Sequence, residues 1–502
     1  MKFTFYHSFL AVVAMLLGLC GSCLAEDPSE LSVGLVVSQF SAELVAPCPF
    51  TATEPDGKTT EIDKGKYFIA VKEGKILLGD FFFSSGTVLK TAENAGRTDT
   101  VKSLPQDTLV KEKAGTGGAD SPYPQAAAAG ATQDPKPKGA TGKASPQAEP
   151  PAGITTNRSH RLFSVNRQEY RGALQVYVTD DGKKMTIVNR VPLEYYVNSV
   201  LGPKSSPIWP DEAIKAQAVA VRSLAWYFRN YPESHVFAVR AAEPESFYGG
   251  VRNENKNITK VAAKTAGQVL YFDGSPAAAY TCESSGGMTV SAEEVLGKKI
   301  PYLQPVVDYD TDCPNFSWVK NIQVATISRI LDQNGYKVGR LQGYRLSDSE
   351  RPEARDRYPS GRIKSIYWQG ELGSVILSGK EFADMLALSS SLFDVYDSEP
   401  MPDKLDVPIE NSYGMEVGRK QIPIEIKGKD GNAWKSVIPG YHFLNQSKDE
   451  TLVFKGKGTG SGLGLSKWGA KGMADEAPEK SENYYKTILQ HYYPGTYLVS
   501  IY

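Results

Sequence analysis

The chain has 502 residues, of which 41% are apolar and 23% are charged, close to the average for soluble globular proteins. Its 56 Lys and Arg residues nearly balance its 57 Asp and Glu residues, which argues against a nucleic-acid-binding protein, because such proteins need a basic face. The length allows about two to four domains, and five cysteines are too few for a disulfide scaffold.

The first 25 residues are typical of a cleaved secretory signal. Lys2 precedes an apolar run from Phe9 to Leu19, and a small residue, Ala25, stands where a signal peptidase would cleave. The run is short for a membrane span, and no other segment reaches ~18 apolar residues. We therefore expect an exported protein of the cell envelope, periplasmic or extracellular, with no membrane span after signal cleavage. An uncleaved anchor is the alternative.

Residues 26–113 are predicted to form an N-terminal β module. Alternating apolar runs at 31–37, 66–71 and 75–83 are separated by Gly and Asp, as in short strands. Residues 114–153 then contain 11 Ala, 7 Gly and 7 Pro, but no Val, Ile, Leu, Met, Phe or Trp. Such a segment buries too little surface to offset its ordering entropy, so we predict a disordered linker.

Two hairpins are predicted in the next region, residues 154–318. Runs at 170–178 and 184–189 flank an Asp-Asp-Gly turn, which favours a hairpin. A second hairpin is predicted from the runs at 268–274 and 277–282.

The strongest predicted helix begins at Pro210 and runs to about Phe228. Pro suits the first turn of a helix, and five alanines make this helix thin, so we place it at the centre of a domain. Gln217 and Arg222 then need polar partners, because an unpaired buried polar group costs ~1–3 kcal/mol. We expect Arg222 to be buried and paired with Glu194 or a backbone carbonyl.

Residues 319–410 are predicted to form a smaller inserted α+β unit, and residues 411–502 to complete the core that begins at 154. The insert has predicted helices at 324–334 and 380–388 and strands at 362–368 and 374–377. The whole chain is therefore predicted to be α+β, with a mixed core around the Ala-rich helix.

Five glycines alternate from Gly456 to Gly464, before a helix predicted to begin near Ser466. A glycine-rich loop before a helix can bind an anion through its N–H groups, but this loop lacks phosphate-loop spacing. Two interpretations stay open: a loop packed against another backbone, and a ligand groove lined by backbone.

No metal or cofactor is predicted. The five histidines are scattered without the spacing of a metal pair, and the serines near 284 and 461 lack a local His and Asp pattern. Cys282 and Cys313 either form a disulfide, which suits an exported chain, or remain free thiols.

Two segments, LEYYVNSVL at 193–201 and WPDEAIKAQAVAVRS at 209–223, resemble the stage II sporulation protein D and amidase-enhancer family (SpoIID/LytB). Later segments agree with the family in order. They are SFYGG at 246–250, TCESSGG at 281–287, EEVLG at 293–297, SKWGAKGMA at 466–474 and ILQHYYPGT at 488–496. The resemblance covers about 160–320 and 360–502 and implies a SpoIID-like core.

The resemblance implies action on bacterial peptidoglycan. The sporulation enzymes resemble lytic transglycosylases, in which one carboxyl group protonates the glycosidic oxygen and then takes a proton from the sugar's 6-hydroxyl. This chain departs from the pattern, because the family's catalytic Glu falls on Lys204, and a Lys is a poor acid at pH 7. The family's C-terminal His and Gln fall on Ser461 and Lys467.

We therefore expect a wall-associated protein that binds peptidoglycan glycan strands, as a degenerate transglycosylase or a modulator of a cell-wall hydrolase. The residues expected to bind the glycan are Gln217, Arg222, Tyr248, Ser284, Ser285, Gly286, Ser461, Ser466 and Lys467. Enzymatic activity stays an open question. One alternative is an active transglycosylase with Glu283 as its acid, for which Glu212 is a weaker candidate. The other is a structural envelope protein.

Overall fold

The computed structural model describes residues 29–91, 162–242, 247–347, 355–397, 404–410, 416–423, 426–427, 433–434, 441–444, 447, 449–478 and 481–502. The predicted signal (1–25) and linker (114–153) lie outside these residues. Helices and several sheets share the described part of the chain, which confirms the α+β class. None of the helices in these ranges is both long and apolar enough to span a bilayer.

A seven-stranded sheet combines strands from both sides of the predicted linker. In spatial order it contains β13 (Val239–Arg240), β1 (Glu30–Gln39), β12 (Met185–Pro192), β11 (Ala173–Val178), β8 (Thr87–Thr91), β3 (Phe50–Thr53) and β4 (Thr59–Ile62). β1 pairs with β12, and β8 pairs with β11. A separate N-terminal module at 26–113 is therefore wrong, because its strands complete their hydrogen bonding with strands that follow the linker.

A six-stranded sheet packs with the first. It contains β10 (Gln168–Tyr170), β9 (Phe163–Val165), β2 (Ser41–Ala46), β5 (Gly65–Lys72), β6 (Lys75–Leu78) and β7 (Phe81–Phe83). Leu44, Ile69 and Ile187 are fully buried in the shared core, where the rings of Phe50 and Phe163 meet edge to face. The predicted hairpin at 170–189 is confirmed as β11 and β12, with Gly182 of its turn at φ +67°.

Two helices follow β12 directly. They are α1 (Leu193–Lys204) and α2 (Asp211–Asn230), and α2 begins after Pro210 as predicted. α2 separates two hydrophobic clusters, because Ile214, Ala218 and Val221 belong to the core of the two sheets while Val219 and Ala220 belong to a C-terminal core. The central position of the Ala-rich helix is therefore confirmed. Two 3₁₀ turns (Gly250–Asn253, Ala263–Thr265) flank α3 (Lys256–Ala262).

The C-terminal core brings residues 268–303 together with the end of the chain. Its elements are β14 (Gln268–Phe272), β15 (Ser275–Pro276), β16 (Thr281–Cys282), α4 (Ala292–Leu296), β28 (Leu465–Ser466), α7 (Lys467–Asp475), α8 (Tyr485–Tyr492) and β29 (Tyr497–Ser500). The second predicted hairpin, 268–282, is confirmed only next to its turn. Only the short β15 returns along β14, whose other edge pairs with β29, while β16 pairs in parallel with β28.

The inserted unit packs around Trp368, Phe382 and Phe454. Its elements are β17 (Ser317–Gln323), α5 (Val324–Gln333), β18 (Leu341–Arg345), β19 (Ser365–Gly370), β20 (Gly373–Ser378), α6 (Gly379–Met385), β21 (Phe393–Asp397), β26 (Tyr441–Phe443) and β27 (Thr451–Lys457). Two hairpins lie between, β22 (Lys404–Glu410) with β23 (Glu416–Pro423) and β24 (Ile426–Lys427) with β25 (Ala433–Trp434). The predicted limit at 410 is too early, because β26 and β27 pair within the sheets of this unit.

Candidate functional site

Lys204 is the last residue of α1, where the chain turns towards α2. Its ammonium lies 5.6 Å from the centre of the Phe247 ring, and Phe247 is 55% exposed. The next residue, Ser205, donates a hydrogen bond from its hydroxyl to Oε1 of Gln217 at 2.6 Å, which ties the end of α1 to α2. Ile208 in the same loop is 89% exposed. A cation and two exposed apolar side chains therefore occupy the region that the resemblance assigns to the family's acid.

Glu283 lies in a second cluster, which we call the Glu283 cluster: Trp209, Glu283, Lys467 and Trp468. The indole Nε1–H of Trp468 donates to Oε1 of Glu283 at 3.0 Å, and the ammonium of Lys467 forms an ion pair with Oε2. The rings of Trp468 and Trp209 meet edge to face, with centroids 4.9 Å apart. The parallel pairing of β16 with β28 brings Glu283 beside the first turn of α7.

The hydrogen bonds of the Glu283 cluster bear on acid catalysis. Both carboxylate oxygens of Glu283 contact protein donors, which Glu283 would have to release before it could donate a proton to a substrate. Glu212 is similarly engaged, since Oε2 accepts from the backbone N–H of Tyr485 at 2.8 Å and Oε1 contacts Lys215. Both glutamates are therefore held by protein donors in this structure.

The two serines of the Ser284-Ser285-Gly286 turn are buried, and the turn is hydrogen-bonded to two aspartates. The hydroxyl of Ser284 donates to Asp310 at 2.6 Å, that of Ser285 donates to Asp308 at 2.5 Å, and the N–H of Gly286 donates to Asp310 at 2.9 Å. Both serines have no exposed surface. The predicted direct contact of Ser284 and Ser285 with a glycan is therefore wrong, because both side chains are buried and their hydroxyls already bind Asp310 and Asp308.

The two aspartates were missed by the sequence analysis. Asp308 and Asp310 are 6% and 0% exposed, and the only local signal is an Asp-x-Asp spacing that has no motif around it. Burial, followed by the negative charge of Asp310, raises the pKa of Asp308, and hydrogen bonds from Ser285 and Tyr492 oppose this shift. Asp308 and Asp310 hold the 284–286 turn in position by accepting these hydrogen bonds.

Arg222 is fully buried on α2. Its guanidinium donates to both oxygens of Glu194, at 2.7 and 2.9 Å, and to the backbone carbonyl of Gln268 at 3.1 Å. Burial alone would raise the pKa of Glu194, but the charge and hydrogen bonds of Arg222, with the hydroxyl of Tyr502, lower it overall. The predicted burial and pairing of Arg222 are confirmed. The predicted direct contact of Arg222 with a glycan is wrong, because its side chain has no exposed surface.

Three other predicted binding residues also face inward. The hydroxyl of Tyr248, 5% exposed, donates to Oδ1 of Asn189 at 2.7 Å, and Ser466 caps α7 by accepting from the N–H of Gly469 at 3.0 Å. Gln217 is 3% exposed, and its Nε2 has no hydrogen-bond partner among the described residues. They support the site and do not line it.

The alternating-glycine loop is packed against other backbone, as the first of its two interpretations states. Gly462 and Gly464 have φ of +77° and +71°, and a Cβ on Gly464 would lie 2.0 Å from the carbonyl oxygen of Tyr280. A Cβ on Gly462 would meet the guanidinium of Arg362, which donates to the carbonyl of Gly460 at 3.1 Å. Ser461 remains exposed at the top of the loop.

The three cysteines in the described residues, Cys48, Cys282 and Cys313, are free thiols. Burial, followed by the charge of Asp308, raises the pKa of Cys282 well above its ordinary value, so this thiol is a weak nucleophile. In the described part of the chain no three His, Cys, Asp or Glu side chains are grouped to hold a metal ion.

Comparisons with known proteins find related sequences. The profile of the family SpoIID, described as stage II sporulation protein, matches residues 181–272, which include α1 and α2. The amidase enhancer of Bacillus subtilis (strain 168) is 26% identical over 358 residues, and stage II sporulation protein D of the same strain is 23% identical over 328 residues. These matches support the resemblance of the chain to the SpoIID/LytB family.

The extent of these matches differs between relatives. The match covers 69% of this SpoIID-like chain but only 46% of the amidase enhancer, and 62% of this chain with 75% of the B. subtilis sporulation protein. A protein of Brachyspira hyodysenteriae is 27% identical over 338 residues, which is 67% of this chain and 74% of that relative. The region matched by the family profile, residues 181–272, contains both α1 and α2.

Proposed function

We propose that this protein is an exported peptidoglycan-binding member of its family, with little or no transglycosylase activity of its own. The glycan strand would lie across the surface formed by Lys204, Phe247, Ser461 and the Glu283 cluster. These are the exposed or partly exposed groups of the site. The buried residues below them, including the 284–286 turn, hold this surface in shape.

One observation carries the proposal. The end of α1, where the family resemblance implies a glutamic acid, holds the ammonium of Lys204 against the ring of Phe247. An ammonium there attracts the carboxylates of peptidoglycan stem peptides, whereas it cannot protonate a glycosidic oxygen effectively at pH 7. Loss of a positioned general acid costs ~10²–10⁴ in rate, so binding is the property that this site keeps.

An active transglycosylase is the second candidate, because the side chain of Glu283 is 37% exposed beside two indole rings. For this role Glu283 would have to exchange its ion pair with Lys467 for a proton. The name of the amidase enhancer supports a further role for the chain as a modulator of a cell-wall hydrolase.

The decisive experiment incubates the mature protein with purified peptidoglycan and measures both pelleting and release of 1,6-anhydro sugars. We expect pelleting without anhydro products, and weaker pelleting for Lys204→Glu. Anhydro products from the wild type that disappear in Glu283→Gln would establish the second candidate. Absence of pelleting by the wild type would refute the proposal.

A further inference from the structure

The outer face of the four-stranded sheet in the inserted unit carries a row of aromatic and basic side chains. The sheet runs in the order β20, β19, β18, β26, and its register places Ile376 opposite Tyr367, Tyr367 opposite Arg345, and Arg345 opposite Tyr441. Side chains alternate between the faces of a sheet, so these four lie on one face while Trp368 lies in the core behind it. We call this row, together with Phe443, the tyrosine stripe.

The rings of the tyrosine stripe are in mutual contact. The guanidinium of Arg345 lies 5.4 Å from the ring centre of Tyr367, and the ring centres of Tyr367 and Tyr441 are 6.5 Å apart. Tyr441 also meets Phe443 edge to face at 4.7 Å. A Cβ on Gly343 would lie 2.5 Å from the Tyr441 hydroxyl oxygen, so the phenol lies over the sheet in the space that glycine leaves.

The face is partly exposed and carries the guanidinium of Arg345. Ile376 is 65% exposed, and a shallow cleft opens beside it. The cleft is lined by Arg345, Arg355, Asp356, Ser365, Tyr367 and Ile376. Among the described strand residues on this face none is acidic, and the carboxylate of Asp356 accepts two hydrogen bonds from Ser347.

We propose that the tyrosine stripe is a second binding surface for a peptidoglycan strand, which rests on the function proposed above. Aromatic rings present flat apolar surface to the faces of pyranose rings, and a guanidinium forms two parallel hydrogen bonds with a carboxylate. The rings would stack on the amino sugars, and Arg345 would pair with a carboxylate of the stem peptide. Four strands span about 14 Å across the sheet, enough for several sugar rings.

Two surfaces on one chain also explain how a protein without catalysis is retained on a polymer. When one surface is bound, the other meets a local strand at high effective concentration, so the two contacts together exceed either alone. The stripe should therefore matter most for long strands.

The experiment uses the mature protein with Arg345→Ala, Tyr367→Ala and the control Lys380→Ala, whose side chain is 81% exposed on α6 of the same unit. Dissociation constants are measured on purified peptidoglycan and on neutral β-1,4-linked N-acetylglucosamine oligomers. We expect Arg345→Ala and Tyr367→Ala to weaken peptidoglycan binding at least fivefold and Lys380→Ala to leave it unchanged. Only Tyr367→Ala should weaken binding of the neutral oligomers.

Thermal midpoints equal to that of the wild type exclude unfolding as the cause. Arg345→Glu reverses the charge at the same, partly exposed position. If the wild type binds peptidoglycan and every stripe variant binds equally, the stripe proposal is refuted while the proposed function stands. If the wild type does not bind at all, the proposed function itself fails. Arg345-dependent binding of single-stranded RNA without glycan binding would overturn the proposal in favour of a nucleic-acid surface.

Discussion

The ion pair between Arg222 and Glu194 gives the sharpest test of the fold. Glu194→Gln keeps the size of the side chain and removes its charge, so the fully buried guanidinium of Arg222 loses its charged partner. Breaking a buried pair on one side costs ~3–5 kcal/mol. The side chain of Glu194 is 29% exposed and Gln still accepts one hydrogen bond, so we expect about 2–3 kcal/mol.

The assay is unfolding followed by circular dichroism, by heat and by urea. The matched control is Asp211→Asn, which breaks a surface pair with Lys264 in which both side chains are about half exposed. That pair should contribute less than ~1 kcal/mol. Equal losses in the two variants would refute the argument that burial makes the Arg222 pair matter.

The same pair predicts a pH dependence. The folded-state pKa of Glu194 lies below its ordinary value of 4.5, so its contribution to stability is present above that value and is lost as the pH falls through the folded-state pKa. The difference between the wild type and Glu194→Gln should therefore shrink in acid. A stability difference between the two proteins that stays constant down to pH 3 would contradict the predicted pH dependence.

Three further outcomes are expected. Gly464→Ala should destabilise the protein clearly more than Gly460→Ala. Both glycines have positive φ, but only a Cβ at 464 would lie 2.0 Å from a carbonyl oxygen. Equal thermal midpoints of the two variants would contradict the close packing of this loop. Burial, and then the charge of Asp310, raise the pKa of Asp308. Asp308 therefore stabilises the fold at low pH, and this stabilisation is lost as the pH rises through the raised pKa. Asp308→Asn should remove that part of the pH dependence of the urea midpoint. Lys204→Glu should restore little 1,6-anhydro product, because catalytic groups act together, and substantial product would show that this single position had silenced the site.

Local signals in the sequence were sufficient for several elements. Pro210 and the alanines that follow it fix the start and the central packing of α2, because helix propensity and capping depend on neighbouring residues. The Asp-Asp-Gly turn fixes the β11–β12 hairpin for the same reason. The substituted position Lys204 was also identified from sequence, by its register between two recognisable segments.

Only the tertiary structure decided which distant segments meet. Glu30 pairs with Arg190 across 160 residues, and Glu283 meets Trp468 across 185 residues, and no local pattern encodes either contact. The partly exposed positions of Lys204 and Glu283 and the buried positions of Arg222 and Ser284 follow from this long-range packing. The family resemblance implied that these residues belong to one site, but solvent access depends on what the rest of the chain covers.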